Sequence, residues 1–471
     1  MKALVRWSFS FTPLPLLREG PPQTATHLRL TTANHLFFKP RQGVLLTFSV
    51  IFALSAQLLR PSFEKLPPPI ANHLTLTTAN HGVLLTFSVI FCFSAQLLCR
   101  SFEKLPPNAE PSYPGLGSHA CGAAGQWAVL VVAFTEFFGA ACMCLIVTWQ
   151  SVALLFPAGA GLCMVGTCLS LRHSVILGSL AAVLPSIWVR GFSRLTGIAI
   201  SGVSSSLLLT AVVVGALLLD PDSAQVTGTG AHQHTFVKAA SLPTGAGIMI
   251  VSLSGHAGLP SLRRSMRRPE HFERCLYIAF GTMFLVYALM GAAAYQYFGE
   301  SCSVLVTHNL ATSSSVAGWK LLKLGAFEIS LSQLLSALVA LSSFSTISPL
   351  VFVLAELIID MAQGTTKARA SAIVERCLRT VVLGVAYAVS VVAYDVLGYV
   401  ESLVGGVASM CSSLLLPGVF YYVLHRNEMG LRQRTLVAAL VCVGAACAVF
   451  IGVIDVEKLR RTKAPGYLPP S

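Results

Sequence analysis

Charge is what this sequence has least of. Asp, Glu, Lys and Arg make up 11% of 471 residues, while apolar residues make up 54%. An ordinary soluble domain carries about a quarter charged residues, so a soluble globular class is excluded. Other absences narrow the function. There is no C-x-x-C pair among the 13 cysteines, which are scattered through apolar runs (Cys142, Cys144, Cys163, Cys168, Cys442, Cys447). Neither a zinc site nor a disulfide framework is expected from that spacing. No Walker or Rossmann glycine pattern occurs, so nothing supports ATP-driven or dinucleotide chemistry. No Asn-x-Ser/Thr sequon occurs; Asn309 is followed by Leu-Ala-Thr, the wrong spacing. No cluster of His, Asp or Ser marks an enzyme centre, and no cofactor is expected.

What is there is apolar length. Mean hydropathy is +0.72, and the chain repeatedly runs apolar for about 20 residues, the length of a helix that crosses a ~30 Å hydrocarbon core. The runs are continuous rather than alternating, which excludes a β-barrel and leaves helices as the only way to pair every backbone amide in lipid. The expected fold class is therefore an all-α polytopic membrane protein with about eleven spans. Two belong to a tandem repeat. His27-Leu-Arg-Leu-Thr-Thr-Ala-Asn-His35 returns as His73-Leu-Thr-Leu-Thr-Thr-Ala-Asn-His81, and the string from Gly43 to Pro67 returns from Gly82 to Pro106 with few changes. The first copy carries seven extra residues, Leu36 to Gln42. The other spans read 126–149, 173–189, 195–219, 244–260, 275–298, 329–358, 377–396, 398–424 and 435–455. The stretch 150–172, broken by Pro157 and glycines, reads as a re-entrant or interfacial connection. The implied organisation is a poorly ordered cytoplasmic segment 1–42, a duplicated helix repeat 43–106, a core 112–455 and a tail 456–471.

The net charge of +13 does not point to nucleic acid, because the basic residues lie in short loops. With the N-terminus in the cytoplasm, the inner loops hold Arg100 and Lys104, Arg190 and Arg194, the cluster Arg263 to Arg274, Lys367 to Arg379, and Arg426 to Arg434. The outer loops hold only Arg60, Lys65, Arg172, Lys238, Lys320 and Lys323. That bias favours a cytoplasmic N-terminus, although the basic tail at Lys458–Lys463 then falls outside. The Arg263–Arg274 cluster reads as a hairpin facing anionic lipid headgroups, or as a partner-binding patch.

Candidate chemistry concentrates in Gly245-Ala-Gly-Ile-Met-Ile-Val-Ser-Leu-Ser-Gly-His-Ala-Gly-Leu-Pro260. A helix so interrupted breaks at mid-membrane and offers free backbone groups to a zwitterion, as in secondary transporters; the alternative is a glycine-rich helix packed tightly on its neighbours. On the first reading Ser252, Leu253, Ser254, Gly255 and His256 hold substrate. Glu136 lies about 14 Å into its span, counting 1.5 Å per residue from Trp127. A carboxyl at that depth faces protein or water and is a candidate proton carrier, or else a structural acid bonded to a neighbouring helix. His256 is a relay or a packing residue. Ser343 and Thr346, in a polar stretch before Pro349, are coupling-ion candidates or interhelical hydrogen-bonding residues.

The motifs resemble a known family. Ser252-Leu-Ser-Gly-His256, Pro260, Met266-Arg-Arg-Pro269 and Phe272 resemble the sixth-helix signature of the amino acid/auxin permeases. Tyr113-Pro-Gly-Leu-Gly117 with Cys121-Gly122 and Gly125, Tyr295-Gln-Tyr-Phe-Gly299 and Leu416-Pro-Gly-Val-Phe-Tyr-Tyr422 resemble further motifs of that family in the same order. Gly115 stands where the family carries Asp, and the family's broken glycine-rich first helix has no counterpart. The resemblance implies a leucine-transporter-like inverted-repeat fold and secondary transport of neutral amino acids, coupled to protons, across a vacuolar, endomembrane or plasma membrane. The substrate and the proton would be its small-molecule partners. The missing first-helix motif leaves a second reading open, a transporter-derived sensor or transport-defective protein. A channel would show pore charges or carbonyl filters, and neither is evident.

Overall fold

The structure is a computed structural model. It describes residues 68–106, 112–156, 161–164, 167–189, 195–219, 242–299, 302, 306–312, 320–324, 327–363, 371–394 and 401–462, all within one compact unit, Pro61–Ser471. The segment 1–42 and the first repeat copy lie outside the described residues.

Apolar runs that must pair their own amides become helices. The second repeat copy is α1 (Pro68–Phe102). The run that opens with the Tyr113–Gly117 motif is α2 (Tyr113–Ala153), whose first turn is capped by Ser112 accepting from the Gly115 amide at 3.1 Å, with Pro114 in the first turn. Its helix kinks at Cys121 and Gly122 (φ 65°, ψ −154°), backbone that only glycine adopts readily. The kink brings Gly117 against the backbone of Gly125, so neither position has room for a Cβ. A hairpin of β1 (Gly161–Met164) and β2 (Thr167–Ser170), paired Gly161 to Ser170, fills the connection read as interfacial. Then follow α3 (Leu171–Ile187), α4 (Thr196–Leu219), α5 (Leu242–Leu253), a single 3₁₀ turn His256–Gly258, α6 (Leu259–Ser265) and α7 (Phe272–Phe298). A short α8 (Val306–Thr312) precedes a second hairpin, β3 (Lys320–Leu324) with β4 (Phe327–Ser330). The last four helices are α9 (Leu331–Gln363), α10 (Ala372–Ala393), α11 (Glu401–His425) and α12 (Leu431–Thr462). Helix α12 continues past residue 455 into the segment read as a tail.

Eight of these helices are long and apolar enough to cross a membrane. Of the remaining expected spans, 173–189 is the 17-residue α3 and 244–260 is the interrupted pair α5–α6. The chain is thus an all-α polytopic membrane protein, with its two hairpins confined to connections.

At the centre α2 packs along α9, with α3 and α10 beside them. Trp149 is buried there, its indole N–H donating to Ser179 at 2.8 Å and its ring 5.3 Å from that of Tyr387. A second cluster joins α1, α5, α7, α11 and α12 through Phe91, Ile250, Leu253, Phe272, Met410 and Ile451. Outward faces of α4, α7, α10 and α12 carry exposed Ile200, Leu285, Val392 and Val443, as lipid-facing helices do. Helix α11 is unusual: residues 404–409 and 411–415 are wound as π turns. Small residues sit there, and Gly405 lies so close to the Gly247 carbonyl that no side chain fits between α5 and α11.

Candidate functional site

The α5–α6 span is broken at Ser254–Gly255. The Ser254 amide closes a last short turn onto the Val251 carbonyl at 3.3 Å. Gly255 then takes φ 118°, a left-handed conformation that a side chain disfavours, and Pro260 restarts the helix in its first turn. The break leaves the Gly255 N–H outside any helix, and Glu136 of α2 fills that role: its Oε1 accepts from the Gly255 amide at 3.2 Å. Its Oε2 accepts from the Ser412 hydroxyl on α11. The hydroxyls of Ser254 and Ser409 stand close by. Glu136 is 2% exposed, and among the described residues no basic side chain pairs with it. A buried carboxyl that meets only neutral donors is suited to carrying a proton or holding a cationic group.

Two tyrosines bind the carbonyls around this point. Tyr113 donates to the Ser412 carbonyl at 2.6 Å, and Tyr287 of α7 donates to the Ser252 carbonyl at 3.1 Å. The Ser252 hydroxyl turns back onto its own helix, to the Ile248 carbonyl at 2.8 Å, and Leu253 is fully buried in the second apolar cluster. His256 faces α1: its Nε2 donates to the Phe91 carbonyl at 3.0 Å, and its ring lies edge-on to Phe91 and Phe280. The imidazole thus ties the second repeat helix to the break.

The structure therefore brings Glu136 together with Ser254 and Gly255, turns the adjacent Ser252 and His256 to other partners, and keeps the two α9 candidates separate. Thr346 is exposed with its hydroxyl on the Ser342 carbonyl of its own helix at 3.0 Å. Ser343 is half-buried, and among the described residues no hydrogen bond joins it to the Glu136 group. Sequence reading missed Ser409, Ser412, Tyr113 and Tyr287. The signal for the serines was present: Gly405, Gly406, Ser409, Ser412 and Ser413 crowd one span with small and polar residues, a mark of close interhelical contact.

The α6 half-helix is anchored separately. Ser261 donates to Glu356 Oε2 of α9 at 2.6 Å, and Arg264 lies 3.5 Å from the same oxygen.

Comparison with known proteins assigns the family. The profile of the family described as "Transmembrane amino acid transporter protein" matches residues 80–456. Amino acid transporter AVT1B of Arabidopsis thaliana is 28% identical over 344 residues, covering 72% of this chain and 58% of the relative. Amino acid transporter AVT1C of the same plant is also 28% identical over 344 residues, covering 72% and 57%. Amino acid transporter AVT1H is 23% identical over 356 residues, covering 74% and 75%. The chain thus spans a little over half the length of the first two relatives. Among solved structures, a Na+-coupled sialic acid symporter aligns over 88% of this chain and 97% of its own, at 12% identity. The TM-score of that alignment is 0.43. With more than half of its length matched by the profile, the chain belongs to the transmembrane amino acid transporter protein family.

Proposed function

We propose that this protein is a secondary transporter of small neutral amino acids, coupled to protons and working by alternating access. Residues 112–455 are its transport core, in an inverted-repeat arrangement, with 43–106 a duplicated helix and 456–471 a tail. The observation that carries the reading is the Glu136 carboxyl bonded to the Gly255 amide inside an interrupted membrane helix. Discontinuous helices with exposed backbone groups are where secondary transporters hold zwitterions near the bilayer midplane. In this reading the backbone of Ser252–His256 receives the substrate and Glu136 carries the proton. Protonation or substrate binding replaces the Glu136–Gly255 bond, and that exchange couples the two. Ser343 and Thr346 are secondary candidates for an ion site on α9.

The test is uptake of labelled neutral amino acids into proteoliposomes under an imposed proton gradient. Saturable uptake that rises with the gradient is expected. Glu136→Gln is expected to abolish gradient-driven uptake while leaving amino acid exchange in place; an unchanged pH dependence would remove Glu136 from coupling. Absence of saturable uptake in the wild type, at a normal level of folded protein, would favour the sensor or transport-defective reading, which rests on the missing first-helix motif.

A further inference from the structure

A second buried acid grips the same two helices at the far end of the bundle. Asp455 of α12 is 1% exposed. Its Oδ1 accepts from the Thr244 hydroxyl at the start of α5 at 2.8 Å, and its Oδ2 accepts from the Ser402 hydroxyl at the start of α11. The arrangement repeats that of Glu136, whose two oxygens bind the end of the α5 span through Gly255 and the middle of α11 through Ser412. The two grips are about three turns apart along α11. Between them the helices touch closely at glycines: a Cβ on Gly247 would strike the hydroxyl and backbone of Ser402, and one on Gly405 would strike the carbonyl of Gly247 and the amide of Val251.

We propose that Asp455 is a positioning residue, which clamps the α5 half-helix to α11 and so sets the Gly255 amide and Ser412 at the spacing that Glu136 spans. The argument is one of geometry. A helix that ends in mid-membrane at Leu253 lacks the continuous hydrogen bonding that would fix its angle, and the glycine contact alone permits sliding and rotation. Two hydroxyls held by one buried carboxylate remove both freedoms, because each hydroxyl belongs to a different helix. Residues near the end of the last helix thereby act on the centre of the molecule through α5 and α11. The inference rests on the broken-helix site described above but does not depend on what that site carries.

The experiment is hydrogen exchange on the full chain in lipid nanodiscs, followed in the stretches 242–256 and 401–413. Loss of two buried hydrogen bonds in Asp455→Ala should speed exchange there by about tenfold or more, with α2 and α9 unchanged. Asp455→Asn keeps an acceptor and gains a donor in the same shape, and should restore protection. Should the alanine variant fail to fold, Thr244→Val and Ser402→Ala break the bonds singly, and each should loosen both stretches. Unchanged exchange, an increase spread over the whole chain, or failure of Asn to rescue would overturn the proposal. Exchange reads helix order whether or not an amino acid is transported, so a negative uptake assay leaves this result standing.

Discussion

Gly255 and Gly178 separate two kinds of glycine. Neither has an atom within reach of an added Cβ, so sterics between residues do not distinguish them. Gly255 has φ 118°, whereas Gly178 lies in the ordinary helix of α3. Gly255→Ala should therefore cost about 1–2 kcal/mol from backbone strain alone, and should weaken any function of the break further by turning its amide from Glu136. Gly178→Ala should be neutral or stabilising by up to about 1 kcal/mol, because it only restricts the unfolded chain. Thermal unfolding of both purified variants checks the contrast; equal effects would refute it. At this scale the sequence was partly legible. The run Gly245–Pro260 offers a helix break as one of two readings, because its glycines, serines and proline together weaken a helix interior. Which way each side chain turns was not legible. His256 points to Phe91 because α1 lies there, and nothing within three or four residues of His256 encodes that.

Among the elements, span positions follow from hydropathy because lipid enforces helicity over each run. The structure agrees with the expected spans to within a few residues at most ends. The irregularities inside spans escaped that logic. The kink in α2 and the π turns of α11 depend on neighbours: Gly117 meets Gly125 only after the kink forms, and α11 widens where α5 and α12 press on Gly405 and Gly406. Helix ends are held just as locally. Arg379 at the start of α10 is 4% exposed and donates to the Ile187 and Val189 carbonyls at the end of α3, at 3.2 and 2.9 Å. Its guanidinium also lies 4.4 Å from the Phe352 ring centre. A lysine supplies neither the fork nor the flat face, so Arg379→Lys should cost about 1.5–3 kcal/mol, the worth of a charged hydrogen-bond set. Lys104→Ala, which removes an exposed pair with Glu428, should cost under about 1 kcal/mol. Comparative thermal shifts in one detergent decide between them, and a larger effect at Lys104 would contradict the burial argument.

For the molecule as a whole, basic loops and ion pairs lead to the same sidedness. The Lys and Arg bias groups the end of α1, the α6–α7 turn, the start of α10 and the α11–α12 turn on one side. The fold joins those same ends physically: Lys104 to Glu428, Arg100 to Glu273, Arg264 to Glu356, and Arg379 to the end of α3. From α1 onward such cross-links require the helices to alternate direction, since a single miscounted span among the described helices would send one partner to the opposite face. Thr244, Ser402 and Asp455 meet at the other end, again as alternation demands. Because the chain lacks sequons, its orientation can be read with single substitutions. Thr227→Asn creates an acceptor before Gly228-Thr229, in the connection after α4, and Gly364→Asn creates one before Thr365-Thr366, in the connection after α9. With the basic ends in the cytoplasm, expression in microsomes should glycosylate the first variant and leave the second unmodified, visible as a single gel shift removed by endoglycosidase. Modification of the second alone would invert the protein in the membrane, and under the proposed proton coupling Glu136 would then take its proton from the opposite compartment.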